Sequence, residues 1–90
     1  MRLQAEIEEF CRGMLEKANT EKNCAKCNPL DESWEELWEG LLEEVHELIE
    51  EAYAIHEGDT KFAPIRLPYE AYDVALRAMF LAMKAKRVIA

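Results

Sequence analysis

Five glutamates fall within nine residues of this 90-residue chain, in the run Leu41-Leu42-Glu43-Glu44-Val45-His46-Glu47-Leu48-Ile49-Glu50-Glu51. On a helix advancing ~100° per residue, with Leu41 at zero, the apolar face centres near ~30° and Glu44, Glu47 and Glu51 lie at ~300°, ~240° and ~280°. They share one edge beside that face, while Glu43 and Glu50, near ~200° and ~180°, point away. Side chains at i, i+3 and i+7 stack along a helix, so these carboxylates repel one another. No Lys or Arg occurs between Lys26 and Lys61 to relieve them. The repulsion needs a cation from another helix or from solvent, and a hard divalent ion suits oxygen donors of this kind. Glu70-Ala71-Tyr72-Asp73 places a second pair of carboxylates at i and i+3, with Arg77 and Lys84 on the same face. Taken singly, each pair has a plain alternative: a solvated acidic face for the first, an i,i+4 Asp73–Arg77 ion pair for the second. On neighbouring antiparallel helices the two pairs would surround one small volume, which is the donor set of a metal site.

Three helices are expected to position these groups. Leu3, Ile7, Phe10, Cys11, Met14, Leu15 and Ala18 have helical spacing, which predicts a first helix over about residues 3–18. Gly13 weakens it by about 1 kcal/mol relative to Ala. A second helix is predicted over about residues 32–57, with Asp31 or Ser33 as its N-cap and Gly58 as its stop. A third is predicted over about residues 69–87, with Pro68 suited to its first turn. In the third, Tyr72, Ala75, Leu76, Met79, Phe80 and Met83 form one apolar face, and Val74 and Leu81 add a second. A helix apolar on two sides needs burial on both, which three short helices rarely supply. The expectation is therefore an all-α chain, a single domain over residues 1–90, whose helical bundle is completed by homo-oligomerisation; the alternative is a compact monomeric three-helix bundle.

Composition narrows the function classes. The chain carries 11 Lys+Arg against 19 Asp+Glu, a formal charge of −8, which disfavours wrapping by duplex nucleic acid. An apolar share of 50% is too high for an acidic disordered tail. The uncharged stretch Ala78 to Met83 is far short of the ~20 residues of a membrane span, and the N-terminus turns acidic at once, without an apolar signal region. Three Cys argue against a disulfide scaffold. A soluble, cytoplasmic protein is expected. Cys24 and Cys27 form a lone CxxC; a structural zinc needs four ligands, so the pair reads as loop thiols unless a zinc is shared between chains. Cys11 reads as core. Glu43 and His46 form an ExxH, the ligand pair of ferritin-like di-iron bundles, but both point away from the apolar face and the third helix has no ExxH. His56 reads as a C-terminal cap.

The order and spacing of these residues resemble a known family. Glu44-Val45-His46-Glu47, then 22 residues, then Glu70-Ala71-Tyr72-Asp73 is similar to the ExxE…ExxD signature of MazG-like, all-α nucleotide pyrophosphohydrolases. Leu41 to Leu48 resembles that family's "LLEEvxEL" helix, and Asp73-Val74-Ala75 its "DVA" helix. Asn19-Thr20-Glu21-Lys22 and Trp34 sit where small phage-type members often carry an N-x-x-K element and a Trp. The likeness extends from about Phe10 to Met83. It departs at Leu76, where the family commonly has Asn, and at Cys24-Ala25-Lys26-Cys27, which the pattern lacks.

The resemblance implies Mg²⁺-dependent hydrolysis of a nucleoside triphosphate to the monophosphate and pyrophosphate, by a homodimer or homotetramer. It implies that Glu44, Glu47, Glu70 and Asp73 hold Mg²⁺, or Mn²⁺ in its place. Glu43 and Glu51 are both candidates for the carboxylate that orients or deprotonates water. Lys22, Lys84 and Arg77 are candidates for phosphate contacts, and Trp34 (or Trp38) for stacking on a base. Two readings from other classes stand beside it: an acidic helical bundle acting as an interaction or regulatory module, and a di-iron protein.

Overall fold

The computed structural model describes residues 2–20 and 29–89. Helix α1 spans Arg2–Thr20, a 3-10 turn Pro29–Asp31, helix α2 Trp34–His56 and helix α3 Ala63–Ile89. Among the described residues there is no strand, and no helix is long and apolar enough to cross a membrane.

Helix α2 starts where Ser33 can cap it. The Ser33 hydroxyl accepts from the Glu36 backbone N–H at 3.1 Å, and the Glu36 carboxylate accepts from the Ser33 N–H at 3.1 Å. This reciprocal capping box satisfies two donors that the helix itself cannot, and it holds the Glu36 carboxyl below its ordinary range. The helix ends as Glu57 N–H donates to the Tyr53 carbonyl at 2.9 Å and Gly58 N–H to that of Ile55 at 3.0 Å. Gly58 then takes φ = +113°, a region side chains avoid, which is why the chain turns at that residue.

The third helix begins six residues before the boundary expected from Pro68. Asp59 is the reason. Its Oδ1 accepts from the backbone N–H of Lys61 and Phe62, each at 3.0 Å, and these bonds lower its pKa. The Phe62 carbonyl then accepts from the N–H of Ile65 and Arg66, so the first turn is already closed. Pro64 lies where a helix has no acceptor for an N–H in any case. Pro68 lies inside the helix and forfeits a single hydrogen bond to the Pro64 carbonyl.

Helices α2 and α3 form an antiparallel hairpin. Arg66 Nε donates to Glu51 Oε2 at 2.9 Å near the turn, and Lys84 Nζ donates to the Glu32 carbonyl at the far end. Leu37, Ala63 and Leu76 are the buried apolar residues among those described. Helix α1 lies against α3. Phe10, Gly13, Met14, Lys17 and Ala18 form its half-buried face, and the Phe10 and Tyr72 rings are 4.9 Å apart. Gly13 makes room for Tyr72: a Cβ there would sit 2.6 Å from the ring carbon Cζ. Leu3, Ile7, Cys11 and Leu15 of α1 are exposed, so Cys11 is not a core residue. The expected face of α1 was too wide because its contact with α3 runs along one narrow stripe.

Candidate metal centre

Because α2 and α3 run antiparallel, the Glu44/Glu47 pair of α2 meets Glu70 of α3 at mid-height of the hairpin, whereas Asp73, expected as the fourth member, is not among the clustered ligands. Glu44, Glu47 and Glu70 each place a carboxylate oxygen within 4.8 Å of the others. The Oε2 atoms of Glu44 and Glu70 are shielded from solvent and accept no hydrogen bond from the described residues. Shielding pushes the Glu44 carboxyl up to about 7, reinforced by the charges of Asp73 and Glu47 and opposed by Arg77. Glu70 is raised as well, first by desolvation and then by its hydrogen bond and charge contact with Glu47. Carboxylates this close disfavour one another's ionised form, and a cation between them would relieve that.

Asp73, the fourth carboxylate of the set, is close enough for its charge to raise both Glu44 and Glu70. Its Oδ2, however, accepts a 2.8 Å bond from Lys17 Nζ of α1. Asp73 therefore pairs with Lys17 and not with Arg77, the partner suggested by i,i+4 spacing. Lys17 is the site residue that spacing alone did not flag. The signal was present: Lys17 is three residues after Met14 and seven after Phe10, a cation on the apolar face of its helix.

The remaining candidates divide. Glu51 is drawn to Arg66 at 2.9 Å, its side chain only 19% exposed. Glu43 is exposed, on the side of α2 away from the cluster. Arg77 lies over Gly40, where a Cβ would meet its guanidinium at 3.3 Å, and reaches Glu32 at 3.9 Å. Lys84 Nζ sits 5.4 Å from the centre of the Trp34 ring, a cation–π distance that joins a phosphate candidate to a stacking candidate. Trp38 is exposed. Lys22, Cys24 and Cys27 lie outside the described residues. His46 pairs with Glu50 at 2.7 Å in solvent, and neither it nor Glu43 is among the clustered ligands of the described residues. The donor set is all oxygen, as a hard divalent cation requires, and its buried unpartnered oxygens fit one.

Comparison with models of known protein families, with curated proteins and with solved structures finds no match to this chain.

Proposed function

We propose that this chain is a MazG-like, Mg²⁺-dependent pyrophosphohydrolase that converts a (d)NTP to the (d)NMP and pyrophosphate. The observation that carries the reading is the meeting of Glu44, Glu47 and Glu70 within 4.8 Å, from two helices, with shielded oxygens left without partners. In this reading Glu44, Glu47 and Glu70 hold Mg²⁺ or Mn²⁺, and Asp73 completes the set. The bound ion offsets the carboxylates' repulsion of a triphosphate and acidifies water.

Glu51 is the better candidate for the base. It lies on the same helix edge as Glu44 and Glu47, where Arg66 Nε donates to it at 2.9 Å; Glu43 faces the other way. Glu51 takes a proton from water as the water oxygen bonds to phosphorus, the α,β anhydride bond breaks and pyrophosphate leaves. Arg77, two turns from Glu70 on α3, is the candidate for the phosphates, with Lys22 a further candidate; Lys84, about 21 Å along the helix from Glu70, and Trp34 beside it stand too far from the cluster for the roles expected of them.

The reading includes a homodimer or homotetramer in the cytoplasm. Trp38, Leu42, Val45 and Ile49 recur at intervals of four, three and four along α2, the spacing of a helix–helix seam, and Leu42 and Ile49 are 66% and 60% exposed. A second copy of the chain is the proposed cover for that seam.

The test is a pyrophosphate-release screen over canonical and modified (d)NTPs with Mg²⁺. Release from at least one, lost in Glu47→Ala, is the expected result. Folded wild-type protein that releases pyrophosphate from none of them overturns the proposal and leaves an acidic helical bundle with an interaction role.

A further inference from the structure

The pairing of Lys17 with Asp73 links the cation site to the docking of α1. Lys17 Nζ is 2.8 Å from Asp73 Oδ2 and donates to the Tyr69 carbonyl at 3.4 Å. It also lies 5.8 Å from the centre of the Tyr69 ring. Both charged side chains are largely shielded, at 22% and 23% exposure. The other anchors of α1, Phe10 and Gly13, both rest on Tyr72. Tyr69, Glu70, Tyr72 and Asp73 occupy little more than one turn of α3. The same turn therefore presents two carboxylates to the cluster and the docking surface to α1.

A dication and an ammonium held by one carboxylate lie within ~5 Å of each other and repel. An ion that recruits Asp73 must do so against Lys17. We infer that Lys17 is a positioning residue that competes with the divalent cation for Asp73, so that occupancy of the cluster loosens α1 from α3. The inference rests on the cation-site reading above and adds its regulation. In the metal-free protein the ammonium acts as a built-in counter-ion, holding Asp73 aside and α1 in place. With a cation present, Asp73 turns to the cluster and the Lys17–Asp73 anchor of α1 is lost, which weakens its hold while Phe10, Gly13 and the Lys17–Tyr69 contacts remain. The N-terminal helix thereby reports on the state of a site to which it contributes no ligand.

The experiment combines Mn²⁺ calorimetry with amide hydrogen exchange on the full chain. In the wild type, saturating Mn²⁺ should raise exchange of the α1 amides from Phe10 to Ala18 by on the order of tenfold, with α2 and α3 protected. Lys17→Met should bind Mn²⁺ roughly tenfold more tightly, with α1 exchange no longer responding to the ion. Lys17→Arg, which keeps the charge, should behave as the wild type. Mn²⁺ binding without a change in α1 exchange overturns the inference while leaving the cation site standing. So does unaltered affinity in a folded Lys17→Met protein. Should that variant not fold, the wild-type exchange measurement and Lys17→Arg decide the matter. Absence of any Mn²⁺ binding to the wild type overturns the site itself, and the inference with it.

Discussion

Glu44 and Glu47 sit three residues apart on one helix and both bring a carboxylate oxygen to the meeting point with Glu70, Glu44 with one oxygen shielded from solvent. The pKa of Glu44 is raised from 4.5 to about 7, so its ionisation works against folding. A group raised in this way contributes stability that is complete below its unfolded pKa and is lost as pH climbs through the folded one. Metal-free protein should therefore lose thermal stability between about pH 4.5 and pH 7, and Glu44→Gln should flatten that decline, as followed by thermal melts across pH. Asp59 and Glu36 act in the opposite sense: their lowered pKa values cost stability as pH falls below the ordinary carboxylate range. Divalent metal should reverse the loss at neutral pH. Mg²⁺ at 100 times its Kd should add about 2.7 kcal/mol, more readily near neutrality than in acid because protons must leave first. Glu47→Ala should abolish the gain, which separates the cation site from a merely acidic surface.

Each helix is defined by a device a few residues long. Ser33 and Glu36 close α2 at its start; Ser33→Ala should cost about 1 kcal/mol in a denaturation curve, because the Glu36 backbone N–H loses its hydroxyl acceptor. Asp59 opens α3, and the register it sets brings Glu70 level with Glu44 and Glu47. Gly13 is the device of α1. Gly13→Ala improves intrinsic helix propensity by about 1 kcal/mol, yet should destabilise the protein by about 1–3 kcal/mol, because the added methyl drives into Tyr72. A net gain in urea midpoint would show that Tyr72 does not pack there.

The hairpin of α2 and α3 leaves much apolar surface uncovered for a chain of this size. Leu37, Ala63 and Leu76 are buried, while Trp38, Leu42, Ile49 and Tyr53 line the outer side of α2. A second copy of the chain is the proposed cover for this stripe, uncovered among the described residues. Leu42→Glu combined with Ile49→Glu should convert an oligomer to a monomer in sedimentation velocity, with four negative charges brought into each pair of facing seams. A wild-type chain that already sediments as a monomer would contradict the seam.

The three helices, a cap for α2 at Asp31 or Ser33 and the two carboxylate pairs were legible in the residue order because each depends on neighbours within one or two turns: the 3.6-residue period, the cap and the i,i+3 spacing are all short-range. Where α3 begins was misjudged from Pro68, since Asp59 outweighs a proline whose lost bond is a single one. The partner of Asp73 was beyond any local rule. Arg77 lay four residues away and was the natural choice, yet Lys17, 56 residues distant, holds the carboxylate. Coulomb attraction follows distance in space, and that distance exists only once α1 has docked on α3.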